Sequence, residues 1–141
     1  MALYEESIRV IAATNHPLAG KAEVSWADTR PYGWIGMPKG SHLRDELDFE
    51  LAAAFEPSGR VCVETSSVLP TLAIVRQSEL LGLASARVAA VFSGWGVISV
   101  LALPYAGRSG VGMLSRKEAE LTPIRRAFRE GVLAAAAQMP P

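Results

Sequence analysis

The chain has 141 residues, half of them apolar and one fifth charged, which is the size and balance of one globular domain with a real core. Fourteen basic and fourteen acidic side chains cancel, and the pI near 6.7 excludes attraction of nucleic acid or anionic lipid through bulk charge. No apolar window approaches the roughly 18 uninterrupted residues of a membrane span, and "MALYEESIRV" is acidic where a signal peptide is basic, so a soluble, cytoplasmic protein is expected.

In chain order, "SIRVIAA" (Ser7 to Ala13) is rich in β-branched and apolar residues and predicts a strand, ended by the turn-forming "TNHPLAGK". "VSWADTRPYG" offers Ser25 as the cap of a one-turn helix stopped by Pro31, and "WIGM" (Trp34 to Met37) predicts a short buried strand. In "GMPKGSHLRDELDFELAAAF" the apolar positions Leu43, Leu47, Leu51 and Phe55 recur every four residues, giving a helix with one buried stripe, stopped by "EPSG" (Glu56 to Gly59). "RVCVE" (Arg60 to Glu64) predicts a strand. "TSSVLPTLAIVRQSE" predicts a helix capped by Thr65 or Ser66, with Val68, Leu72 and Val75 inward and Pro70 tolerated in the first turn. "LLGLA" (Leu80 to Ala84) is a further apolar run, "SARVAAVFSGWG" a short helix, and "VISVLALPY" (Val97 to Tyr105) and "SGVGMLS" (Ser109 to Ser115) two strands. The last helix is signed by Thr122 as cap and Pro123 at its first position, with Ile124, Phe128 and Val132 on one face. Strands alternating with helices imply an α/β fold with a mainly parallel sheet flanked by helices. "EAELTP" (Glu118 to Pro123) is the expected boundary, and "QMPP" a tail.

No catalytic constellation emerges. His16 and His42 lie in separate segments without metal-ligand spacing, "GRSGVG" is not a nucleophile elbow, and "MPKGS" inverts the Gly-Lys order of a phosphate loop. The carboxylates of "RDELDFE" read as a solvated helix face with local ion pairs. Cys62, the lone cysteine, reads as a small buried hydrophobe rather than a reactive thiol. No enzyme, metal or cofactor is therefore expected.

Binding is better furnished. In an open α/β sheet, ligands sit beyond the carboxyl ends of strands, where helix starts converge. After "WIGM" come Lys39, Gly40, Ser41 and His42; after "VCVE" come Thr65, Ser66 and Ser67. Free N–H groups and the helix dipole favour an anion at such a start. Each segment alone reads first as a helix cap; two at successive strand ends raise one shared pocket to an equal reading. Ser85 marks a third strand end.

At this point the sequence resembles the effector-binding domain of LysR-type transcriptional regulators, of the type 2 periplasmic-binding-protein fold. The blocks that carry the resemblance are "LYEESIRVIAATNHPLAGKAEVSWADTRPYGWIGMPKGSHLRDELD", "VCVETSSVLPTLAIVRQSELLGLASARVA" and "LALPYAGRSGVGMLSRKEAELTPIRRAFREGV", in the family's order over nearly the whole chain. "QSELLGLAS" departs from the family's "GxGIaLLP", so Ser85 is not carried over as a site residue. No cysteine lies near the Gly40–His42 loop, which argues against the redox sensing of some members.

The resemblance implies a truncated chain without the family's N-terminal helix-turn-helix. Residues 1–14 would be a crossover strand from lobe I, 15–108 lobe II, 109–138 the return strand and closing helix of lobe I, and 139–141 a tail. It implies a sensor whose small, anionic effector meets Lys39, Gly40, Ser41, His42, Thr65, Ser66 and Ser67. DNA would be a partner only through the missing domain, and a homo-oligomer without membrane contact is implied. The rival expectation is a fragment of a solute-binding transport protein of the same fold.

Overall fold

The computed structural model describes residues 1–54, 61–105, 107–115 and 122–138. The helix stop at 56–59, Phe55, Arg60, the expected boundary over 118–121 and the tail at 139–141 lie outside the described residues. The chain divides into two compact units, Met1–Glu6 with Arg108–Pro141, and Ser7–Gly107.

In the Ser7–Gly107 unit, strand β1 (Ala2–Ala12, which begins in the other unit) pairs antiparallel with β4 (Gly82–Ser85) and β5 (Ser99–Val100). Strands β2 (Trp34–Gly36) and β3 (Val61–Glu64) pair parallel, with Gly36 opposite Glu64. A parallel bridge between Trp34 and Leu81 joins them to β4, fixed by Ile35 N–H to Leu81 C=O at 2.7 Å and Leu81 N–H to Gly33 C=O at 2.9 Å. The α/β class holds, and the strand directions are mixed: β2, β3, β4 and β5 run one way, β1 the other. The parallel strands are separated by helices, α1 (His42–Ala54), α2 (Val68–Arg76) and α3 (Ala86–Gly94), as a parallel crossover requires. No such helix follows β1. The chain instead turns at His16, whose Nδ1 accepts from Leu18 N–H at 3.1 Å, into a 3-10 turn at Trp26–Thr29 boxed by Ser25 and Asp28.

The alternation of β1 sends its side chains to two cores. Ile8, Val10 and Ala12 join Leu18, Trp34, Leu47, Leu51, Leu101 and Tyr105 on the α1 side; Ile11 joins Ile35, Leu72, Val75, Ala89 and Ile98 on the α2 and α3 side. Several local expectations need correction. Cys62 is exposed, because β3 alternates and turns Val61 and Val63 inward while Cys62 and Glu64 face outward. Val68 is also exposed, since it opens α2 above the sheet's end; Leu72 and Val75 are buried as expected. The run Val97–Tyr105 is regular strand only over Ser99–Val100; beyond it Leu101 N–H still donates to Val10 C=O at 2.9 Å and Ala102 C=O accepts from Val24 N–H at 3.0 Å, and Leu101, Leu103 and Tyr105 stay buried.

In the other unit, β6 (Arg108–Gly112) pairs with β1, and Met113 N–H donates to Met1 C=O at 2.9 Å. Helix α4 (Pro123–Ala137) starts as its sequence predicts, the Thr122 hydroxyl accepting from Arg125 N–H. Two of the three residues of its expected docking face are open, Ile124 and Phe128 being 81% and 68% exposed, while Val132 is half-buried.

Candidate functional site

Three helices start beyond the same edge of the sheet, α1 after β2, α2 after β3 and α3 after β4. Because β2 and β3 are adjacent and parallel, the segments that follow them leave side by side. Thr65 N–H donates to Gly36 C=O at 3.0 Å, extending the ladder past the strands' ends. The loop after β2 turns through Gly40 at φ +84°, a left-handed conformation that favours glycine. The Ser41 carbonyl accepts from the Arg44 and Asp45 N–H groups and opens α1, while its hydroxyl donates to Pro38 C=O at 2.9 Å. Lys39 is exposed at the tip.

The start of α2 differs from the expected cap. Ser67, not Thr65 or Ser66, is the N-cap residue, and its side chain makes no capping bond. The Thr65 hydroxyl is occupied by a local turn, accepting from Ser67 N–H at 3.1 Å, which shifts the helix start two residues on. Ser66 and Ser67 are exposed, and Leu69 beside them is 70% exposed. Ser85, by contrast, is a true cap, accepting from Val88 N–H at 3.3 Å.

The residue that ties the two segments together is Arg44, although its segment "RDELDFE" has the pattern of a solvated face. Its side chain is buried. Nε reaches both Asp48 carboxylate oxygens at 2.9 Å, and Nη1 donates to Met37 C=O at 3.1 Å and to Glu64 Oε1 at 2.6 Å. The Glu64 hydrogen bond, against the opposing effect of burial and with help from Asp48, holds the guanidinium more firmly protonated than usual. One side chain of α1 thus pins the exit of β2 to the end of β3. The Asp48 contact was legible as an i,i+4 pair; the Glu64 contact crosses from helix to strand and leaves no local spacing to read.

His42 stands apart from the other expected site residues. Its Nε2 lies 3.1 Å from Glu46 Oε1, so the ring turns along α1. The structure therefore brings together the segments of Lys39, Gly40 and Ser41 and of Thr65, Ser66 and Ser67, with His42 directed toward the helix's acidic side. Among the described residues no His, Cys, Asp or Glu group converges as a metal site, and no helix is long and apolar enough to cross a membrane.

Parallel strands ending at paired helix starts, backed by a two-sided core, define an α/β domain with two helix starts side by side at one edge. Residues 1–137 match the family described as LysR substrate binding domain, and the chain belongs to that family. It is a ligand-sensing domain of the LysR type, a family of transcriptional-regulator domains and not a class of enzymes. A 49-residue stretch is 37% identical to the HTH-type transcriptional regulator CysL of Bacillus subtilis (strain 168), covering 35% of this chain and 16% of that protein. The fold is similar to the CcmR regulatory domain of Synechocystis PCC6803 in complex with 2-PG, at TM-score 0.75 and 18% identity over 100% of this chain and 68% of that one. It is similar to the effector-binding domain of QuiR in complex with shikimate, at TM-score 0.73 and 19% identity over 98% and 65%. The effector domain of AmpR of Pseudomonas aeruginosa matches at TM-score 0.68 and 23% identity over 97% and 64%. The chain thus spans 64% to 68% of these solved domains and a small part of the curated regulator.

Proposed function

We propose that this domain senses a small anionic metabolite, held where α1 and α2 begin, by Lys39, Gly40, Ser41, His42, Thr65, Ser66 and Ser67. The observation that carries the reading is the Ser67 hydroxyl, which stands at a helix start without capping it, beside the loop after β2. A hydroxyl not needed by its own helix is free to meet a ligand, next to N–H donors and a helix dipole that favour negative charge. Arg44 is neutralised by Glu64 and Asp48, so Lys39 supplies the mobile positive charge. The relatives' ligands named above, 2-PG and shikimate, support the small-molecule class.

In this reading residues 15–108 form lobe II, 1–14 the crossover strand and 109–138 the return to lobe I. The domain is cytoplasmic, has no catalytic activity, acts on DNA through a helix-turn-helix elsewhere in the regulator, and self-associates. Effector binding shifts the balance between two arrangements of the lobes. The regulator family favours this over the transport alternative.

The test is a titration with inorganic phosphate and with shikimate, followed by amide NMR. One wall of a cleft gives weak binding, on the order of millimolar or about 4 kcal/mol. Shifts confined to residues 39–43 and 65–69, nearly abolished by Thr65→Val with Ser66→Ala, support the pocket. Saturable shifts elsewhere with these segments silent refute it.

A further inference from the structure

On the other side of α1 from Arg44's contacts, a cleft of about 380 Å3 is lined by His42, Asp45, Glu46, Phe49, Glu50, Tyr105 and Gly107. Its volume is in the range of small-molecule sites. The charge along it is negative: Asp45 and Glu46 are neighbours on one helix and Glu50 lies one turn further on, and His42 is the basic group among the lining residues, paired with Glu46 Oε1. An acidic helix face by itself is ordinary. What sets this one apart is the opposite wall. Tyr105 is 9% exposed, and its hydroxyl is buried with no hydrogen-bond partner among the described residues; Oε2 of Glu46, another lining residue, is likewise buried and unpartnered among them. Buried polar atoms in native proteins are almost always paired, so two orphaned atoms at one cleft mark a place for a group that the chain does not provide.

The chemistry of that group follows from its neighbours. Burial, and then the charges of Glu46 and Glu50, hold the Tyr105 phenol protonated, so the wall presents carboxylate acceptors and a neutral hydroxyl whose oxygen can also accept. Phe49, 72% exposed, adds an aromatic face that attracts cations. The carboxylates do not converge closely enough for a bare metal ion. Gly107 completes the wall: a Cβ there would lie 2.2 Å from the Tyr105 ring, so any larger residue would have to displace the ring.

We propose that this cleft binds a small organic ammonium ion, its N–H groups donating to Glu46 Oε2 and the Tyr105 hydroxyl and its body resting on Phe49. His42 borders both places, but the donors' partners here, Glu46 and Tyr105, are not part of the anion pocket, and the site uses none of Lys39, Gly40, Ser41 or Thr65–Ser67, so variants at Glu46 and Tyr105 test it separately.

The experiment is a calorimetric titration of the full chain with 1,4-diaminobutane at low salt, with 1,4-butanediol as the uncharged control and amide NMR to locate the shifts. Saturable binding of the diamine, weakened by salt and absent for the diol, with shifts over residues 42–50 and at 105 and 107, is expected. Tyr105→Phe keeps the buried ring and removes one charge-assisted bond, so it should weaken binding about tenfold; Glu46→Gln, at a half-buried surface position, should weaken it at least as much. No saturable binding, equal binding of the diol, or unchanged affinity in both variants overturns the proposal. So does a chain that ignores the diamine but loses self-association in Glu46→Gln, since the cleft would then receive a side chain of a second copy.

Discussion

Removing the Arg44 guanidinium leaves Met37 C=O, Asp48 and Glu64 without their common donor. Asp48 and Glu64 are each about half exposed and can be rehydrated, so Arg44→Met should cost about 1–3 kcal/mol rather than the larger penalty of a fully buried charge. A lowered urea midpoint with an unchanged slope checks it, and phosphate affinity should fall in the same variant because the two loops lose their common tie. Ser67→Ala makes the converse case. Its hydroxyl does not cap α2, so stability should stay within about 0.5 kcal/mol of wild type while phosphate binding weakens; a loss of stability without a loss of binding would make Ser67 a cap after all. Asp28 sets an acid-sensitive contribution. Hydrogen bonds from Lys21, then from Ser25, hold its carboxyl well below the ordinary 3.8 in the folded chain. The unfolded state therefore takes up the proton first, and this contribution is present above pH 3.8 and fades as pH falls toward the lowered folded value. In Asp28→Asn the stability measured by urea unfolding should fall less steeply with acid below pH 4 than in the wild type.

At the scale of elements, helices were legible where the sequence carried both a periodic stripe and a punctuated start. Leu47 and Leu51 bury as the spacing of α1 predicts, and Thr122 with Pro123 opens α4 where expected. Strands were read less well, for a physical reason. An apolar run states that a segment is buried and not what it pairs with, so Val97–Tyr105 predicts one strand although its regular strand is Ser99–Val100, with Leu101 the last residue bonded to β1. β1 was read short at its start because "ALYEE" lacks the clean alternation of a core strand, and pairing with β6 supplies what local pattern does not. The candidate loops were legible from helix-start chemistry; their tie through Arg44 and the acidic cleft beside Tyr105 were not, since each joins residues far apart in the chain. Helix α4 exposes Ile124, Phe128 and Leu133, and exposed apolar stripes of this kind mark interaction surfaces. Sedimentation should find the wild type self-associated at high concentration and Phe128→Asp monomeric; two monomeric species would refute self-association through this face.

For the whole molecule, every buried hydrophobic residue among those described falls between Ile8 and Tyr105, inside the Ser7–Gly107 unit. A fragment of residues 7–107 should accordingly unfold cooperatively on its own, with a transition seen together by far-UV and near-UV circular dichroism; a broad, probe-dependent melt would show that the core needs the remainder of the chain. The placement of β1 has a temporal consequence as well. β2, α1 and β3 are neighbours in sequence and can assemble as soon as they exist, whereas β1, made before them, finds its partners β4 and β5 only near the end of the unit. On a ribosome adding about 5–20 residues per second, the apolar row of Ile8, Val10 and Ile11 waits seconds, unpaired, for the last strands to emerge. The reversed strand at the middle of the finished sheet is thus the one that a nascent chain must keep from other company the longest.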